Sequence, residues 1–174
     1  MENNKQRLGA QTLDFEQVEL FKSQNNKSET IALHFDTEGT NQFCDFTEAV
    51  LEIVSKSGIK HGSVNLFTPH TTTAVVINES ETGYINDFKK KIEELVPSDS
   101  YYEHDDWDLR TENMQEDENV NGRSHVRGTI IGSSGVTLPI INSELIIGRW
   151  QRLFFVELDC ARSRRLFVQT QDLN

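Results

Sequence analysis

The chain has 174 residues, 36% of them hydrophobic and 26% charged, the size of one compact domain with a sizeable core, which excludes bulk disorder. Its formal net charge of −11 argues against a nucleic-acid partner, because holding a phosphate backbone takes a field of lysine and arginine. No apolar run approaches the roughly 20 residues of a spanning helix, and the opening MENNKQRLGAQ has no apolar centre of the kind a secretory signal needs, so the expectation is a soluble, cytoplasmic protein. Residues 1–11 read as a polar tail and residues 12–174 as a single domain. Cys44 and Cys160 lie far apart and form no CxxC pair, so two reduced, structurally placed thiols are expected.

From Thr12 to Phe21 the apolar residues Leu13, Phe15, Val18 and Leu20 alternate in part, and Thr30 to Phe35 alternates better. Two antiparallel strands joined by a loop around Gln24 to Lys27 fit this. The stretch FCDFTEAVLEIVSKSG spaces Phe46, Val50, Leu51 and Val54 by three and four, which predicts a helix started by Asp45 or Thr47 and closed by Gly58. Ser63 to Phe67 and Ala74 to Ile77 read as strands. Pro69 cannot donate to a ladder, so a turn or bulge between them exposes His70.

Glu81 to Val96 is amphipathic, with Tyr84, Ile85, Phe88, Ile92 and Leu95 on one side and Pro97 closing it. Ser98 to Asn121 is long, acidic and without period, and loops of that length in compact domains are functional or disordered. Tyr101, Tyr102 and Trp107 favour an ordered start, and EDEN a mobile end. Ser124 to Ile131 reads as a short helix packed by Val126, Ile130 and Ile131. The GSSG at Gly132 to Gly135 lacks the spacing and lysine of a P-loop and reads as a tight turn. Four strands follow: Val136 to Ile140, Glu144 to Ile147, Arg152 to Leu158 and Arg165 to Thr170. Strands clustered in this way predict an α+β fold, mainly an antiparallel β-sandwich flanked by a few helices.

The segments HTTT and INE, then NGRSH, GSS and IIGRWQRLFFVELD, resemble in order and approximate spacing those of the YjbQ family, formerly uncharacterised and now often labelled secondary thiamine-phosphate synthase. The resemblance runs over about residues 12 to 171. It implies a small α+β sandwich, a homotrimer with clefts between subunits, and coupling of a pyrimidine diphosphate to a thiazole phosphate with release of pyrophosphate. Some relatives are thought to hold a metal ion. The family's HT[TS] turn falls on His70, Thr71 and Thr72, its N-E pair on Asn78 and Glu79, its Y-x-H on Tyr102 and His104, and its [ND]-x-x-[AS]-H on Asn121, Ser124 and His125. Its G-x-W-Q falls on Gly148, Trp150 and Gln151, and its closing arginines on Arg162, Arg164 and Arg165. Arg149, Cys160 and Ala161 depart from the common pattern, in ways that would reshape an anion pocket.

The resemblance thus implies His70, Glu79, Asn121 and His125 as catalytic residues and Thr71, Thr72, Gln151, Arg162 and Arg165 as substrate-binding ones. Neutral imidazoles from three separate segments, here His70, His104 and His125, are a usual open zinc arrangement. With no compact metal signature in the sequence, the same histidines serve equally as hydrogen-bonding props for the long loop. Zinc or another divalent metal, and magnesium accompanying the diphosphate, are the cofactors expected. Glu79 is open to three readings: general base, partner orienting a histidine, or N-terminal cap of the helix near Glu81. Thr71 to Thr73 either hold phosphate oxygens or are β-branched strand residues. Arg162 and Arg165 suit phosphate through paired guanidinium donors, or form a solvated strand edge. Trp150 reads as core or subunit interface, with ligand contact second.

The leading expectation is an enzyme acting on a phosphorylated small molecule. The alternatives are a metal-dependent hydrolase using a zinc-bound water with Glu79 as base, and a non-enzymatic trimeric protein that binds a metabolite or metal, its acidic run Asp105 to Glu118 serving as a partner surface or simply solvated.

Overall fold

The computed structural model describes residues 11–12, 17–22, 28–115 and 117–173. The expected tail, apart from Gln11, and the loop at Gln24 to Lys27 lie outside the described residues. Among the described residues, ten strands and three α-helices follow in the order β1 (Gln11–Thr12), β2 (Gln17–Lys22), β3 (Ser28–Asp36), β4 (Gln42–Asp45), α1 (Thr47–Ser57), β5 (His61–Phe67), β6 (Thr73–Glu79), α2 (Thr82–Leu95), α3 (Gly122–Ile131), β7 (Gly135–Ile141), β8 (Glu144–Leu145), β9 (Gln151–Glu157) and β10 (Ser163–Asp172). A 3-10 turn at Glu103–Asp105 interrupts the long loop before α3.

These strands form two sheets. The four-stranded one runs β1-β4-β9-β6 and the six-stranded one β2-β3-β10-β5-β7-β8. Every pairing is antiparallel except the short parallel contact of β1 with β4. The sheets face each other across a core of Leu33, Phe35, Val64, Leu66, Leu153, Phe155, Leu166 and Val168, joined by Val50 and Val54 of α1. Phe35 and Phe155 meet edge to face there, with ring centroids 5.0 Å apart, the arrangement that the aromatic quadrupole favours. On the other side of the four-stranded sheet, Phe43, Phe154 and Val156 pack against Ile85, Tyr84 and Phe88 of α2. The predicted α+β sandwich is therefore what the chain forms, with α2 and α3 laid on the outer face of the smaller sheet. Strand β9 is covered on both faces, which is why its sequence RLFFVEL is a continuous apolar run instead of an alternation.

The structure changes three of the sequence expectations. The single strand expected from Thr12 to Phe21 is two strands in different sheets, because Thr12 pairs with Asp45 while Phe21 pairs with Thr30; the intervening Leu13 and Phe15 lie outside the described residues. Before α1, Gln42–Asp45 is strand β4, its Phe43 buried toward the helices and Cys44 buried in the sandwich, a period-2 signal too short to see beside the helical one. Helix α1 itself begins as expected: Asp45 Oδ1 accepts from the Thr47 N–H at 2.9 Å and from its hydroxyl at 2.7 Å, and Gly58 closes it at φ 71°. The third change concerns α3. Val126 and Ile130, expected to pack it, are exposed, whereas Gly122, Ser124 and Arg127 are buried.

Candidate active site

The turn before β6 is built by its own threonines. The hydroxyls of Thr68 and Thr73 meet at 2.7 Å, and Thr73 Oγ1 also donates to the His70 carbonyl. Thr73 is therefore a turn and strand residue, Thr72 is buried, and only Thr71 is exposed. Helix α3 lies tight against this turn because its inward residues are small. Ser124 Oγ donates to the Leu158 carbonyl at 2.8 Å, and a Cβ on Gly128 would come within 3.0 Å of the Thr71 carbonyl. Arg127, fully buried, ties α3 to the end of α2 by donating to the Val96 carbonyl and to Glu93.

The N-terminus of α3 is capped by a carboxylate from the long loop. Asp105 Oδ1 accepts the N–H groups of Asn121 at 3.0 Å and Gly122 at 2.9 Å, satisfying donors that a helix start leaves free. The same oxygen lies 3.2 Å from His104 Nδ1. A carboxylate only accepts, so Nδ1 donates in this contact; Arg110 Nη1 lies 3.5 Å from the same nitrogen and Glu118 Oε1 3.9 Å from Nε2. Burial acts to raise the Asp105 carboxyl, but the Gly122 and Asn121 N–H groups and His104 outweigh it and hold the group below its usual range. Through this one residue, His104 is fixed beside the helix that carries His125, and the two imidazoles tilt against each other with centroids 4.5 Å apart. Burial, and then the neighbouring His104, push the His125 pKa down, so its ring is neutral near pH 7 and offers one donor and one acceptor.

The pair opens into a cleft of about 650 Å³ lined by Thr71, His104, Arg110, Glu118 and His125 among others. A smaller adjoining volume of about 270 Å³ shares Thr71, Glu118 and His125 and adds Thr72, Asn121, Asp159, Arg162 and Arg164. Arg110 organises the loop that forms the outer wall, donating to Glu118 at 2.8 Å, to the Asn113 carbonyl at 2.8 Å and to the His104 carbonyl at 3.2 Å. Glu118, placed by sequence in a mobile run, is thus tied down, and the Arg110 bond holds its carboxyl below the usual range.

The inner wall is a network of buried charge. Arg164 grips Glu157 through both oxygens at 2.6 Å and donates to Thr72 Oγ1 at 3.1 Å. Glu157 also accepts from Thr37 and from the Asp159 N–H, and Arg162 Nε donates to Asp159 at 2.8 Å. Such pairs are tolerated in a core because each charge meets a geometric partner and further hydrogen bonds.

Several expected site residues stand elsewhere. His70 Nε2 accepts the backbone N–H of Arg165 at 3.0 Å, and burial, followed by Arg164 and Arg165, pushes the ring's pKa down to about 4. With that nitrogen committed to the backbone, the three-histidine set implied by resemblance is not assembled within one chain; among the described residues no group of three or more His, Cys, Asp and Glu is arranged for a metal ion. Arg165 is exposed and turns outward toward the Phe167 ring, because alternate β10 side chains face opposite ways and Arg164 takes the inward position. Glu79 and Gln151 pair at the far end of the four-stranded sheet, roughly 20 Å from Thr72 at about 3.3 Å per residue. There Gln151 accepts from the Gly148 N–H, and Glu81, not Glu79, caps α2 by accepting from Gly83 and Tyr84. Trp150 is exposed, with the Arg149 guanidinium 4.7 Å from its ring centre, so it is no part of this chain's core.

The profile of the family described as UPF0047 protein YjbQ-like matches residues 31–172. The chain belongs to the YjbQ-like family. It is 36% identical over 127 residues to a UPF0047 protein of Methanothermobacter thermautotrophicus, covering 73% of this chain and 80% of that one. To a UPF0047 protein of Archaeoglobus fulgidus it is 37% identical over 128 residues, 74% and 90% of the two chains. Among solved structures, a YbjQ-like protein of unknown function from Sulfolobus solfataricus P2 superposes with a TM-score of 0.68 at 30% identity, covering 83% of this chain and 99% of the other. A hypothetical protein from Aeropyrum pernix K1 gives 0.67 at 29% identity, covering 81% and 98%.

In this YjbQ-like chain the structure adds Asp105, Arg110, Glu118, Glu157 and Asp159 to the site and its supports, and gives Arg164, one of the closing arginines, its inward place. The signal for three of them was present in VELDCARSRR: charged residues directly continuing a strand buried on both faces must find partners there. Asp105, Arg110 and Glu118 had no comparable signal, since a loop rich in acids reads as solvated.

Proposed function

We propose that this YjbQ-like protein is an enzyme acting on a small phosphorylated substrate bound in the cleft between the long loop and the β9–β10 turn. The observation that carries the reading is the placement of His125 beside His104 in a cleft that also presents Arg162, Arg164 and the exposed Thr71. A guanidinium has five N–H groups; Asp159 takes the Nε donor of Arg162 and the Cys160 side chain also bonds to this guanidinium, and the remaining donors suit a phosphate. Neutral His125 can donate a hydrogen bond to a leaving phosphate oxygen or accept a proton from an incoming group.

Within that class, the reaction implied by the family resemblance is thiamine-phosphate synthesis. The carbon–oxygen bond to the pyrimidine's diphosphate breaks with its electron pair leaving on pyrophosphate, and the thiazole nitrogen lone pair forms the new carbon–nitrogen bond. The chain's task is to hold and stabilise the departing anion, which enters with its magnesium ion. The accompanying assembly is a homotrimer. Incubation with the pyrimidine diphosphate, the thiazole phosphate and magnesium is expected to yield thiamine phosphate, and His125→Ala to slow this by roughly 100-fold or more with an unchanged melting temperature. No product from the wild-type chain would remove the synthase reading, and loss of folding in His125→Ala would remove the role given to that histidine.

A further inference from the structure

Asn121 lies at the floor of the smaller cleft volume, 6% exposed. Its Nδ2 faces Asp159 Oδ2 at 3.4 Å. Because a carboxylate offers only acceptors, the atom facing it must be the amide nitrogen, and this settles which way the side chain is turned. The other end, Oδ1, has no hydrogen-bond donor among the described residues. A buried carbonyl left without a donor is costly. It therefore marks a place where an N–H group of something else belongs.

The charge around this atom says what kind of group. The two connected volumes are lined by Glu103, Glu112, Asp117, Glu118 and Asp159 against Arg110, Arg162 and Arg164. Of those arginines, Arg110 is bound to Glu118 and Arg164 to Glu157. Such a wall favours a ligand that carries positive charge as well as negative, since a bare anion would meet an excess of carboxylates. Asp159, with Arg162 Nε on the same oxygen that faces Asn121, stands between an anion-binding group and the orphaned carbonyl.

We infer that the ligand of this cleft is a phosphorylated amine, its ammonium or amino N–H group donated to Asn121 Oδ1 beside Asp159 and its phosphate held by Arg162 and Thr71. The inference rests on the phosphorylated-substrate reading and makes Asn121 a specificity residue for it. A site built to receive an N–H group rejects an isostere that lacks it, because the carbonyl is then left bare.

The test is calorimetric titration of the full chain, free of divalent metal, with O-phosphoethanolamine, with n-propyl phosphate, in which a methyl group replaces the ammonium, and with inorganic phosphate. Phosphoethanolamine is expected to bind at least about tenfold more tightly than propyl phosphate. Asn121→Leu should reduce that preference to within about twofold; Asn121→Ser serves the same purpose if the leucine variant does not fold. Equal binding of the two organic phosphates by the wild-type chain overturns the amine inference and leaves the phosphate reading standing, as does a preference that survives both variants. Binding of none of the three removes the phosphate reading and the inference together.

Discussion

At the scale of the residue, identical side-chain types divide into opposite roles by their partners. His70 and His125 are both half-buried histidines, yet His70 is committed through Nε2 to a backbone N–H while His125 faces a cleft. The folded pKa of His70, about 4, lies below its ordinary value of 6.5. As pH falls below 6.5 the unfolded chain takes up a proton that the folded chain refuses, so His70 makes stability decline between about pH 6.5 and 4 and level off below. Nuclear magnetic resonance should show its ring titrating near pH 4. His70→Gln, whose amide oxygen can accept from the same N–H, should remove the corresponding part of the decline in urea stability; a ring that titrates at its ordinary value would contradict this account. The thiols divide likewise. Cys44 is buried and pushed up to about 12, first by burial and then by Glu157, whereas Cys160 stands half-buried near Asn119.

At the scale of the element, α3 places the chemistry. Its seating depends on Gly122, Ser124 and Gly128 where an amphipathic reading expected Val126 and Ile130, because it lies close against a turn and a loop backbone as well as the sheet face that Ile131 meets. An added Cβ at Gly122 would come within 2.7 Å of Tyr102 Cβ and 2.9 Å of Asp105 Oδ2. Gly122→Ala is therefore expected to destabilise the fold by about 1–3 kcal/mol in urea denaturation and to separate His125 from His104, visible as a shift in the His125 titration. Unchanged stability would mean that the loop yields freely and that the cap does not position the pair. Helix α2 shows the opposite case: its apolar spacing and Pro97 placed it, while Leu95, expected on its packed side, is exposed, and of the readings open for Glu79 the cap falls instead to Glu81, because the cap is decided by which side chain meets the first free N–H groups.

At the scale of the whole molecule, the described residues of one chain leave Ile141, Ile146 and Trp150 exposed, and Glu79 and Gln151 at the sheet end remote from the histidine pair. If the homotrimer of the proposed function forms, sedimentation should give three times the 19.9 kDa chain mass, and Trp150→Ser should shift the population toward monomer; a wild-type chain sedimenting as a monomer would remove the trimer. The sequence by itself determined the fold class, the three main helices and most strands, because alternation, helical spacing and turn residues are local signals that packing then agreed with. The family resemblance of its motifs placed His104, Asn121, His125, Thr71 and Arg162 among the residues to watch. Only the tertiary structure decided that Thr12 and Phe21 belong to different sheets, that Arg164 turns inward while Arg165 turns out, and that His70 is spent on the backbone. Each of those depends on which segments pair across long sequence separations, and neither composition nor spacing records that choice.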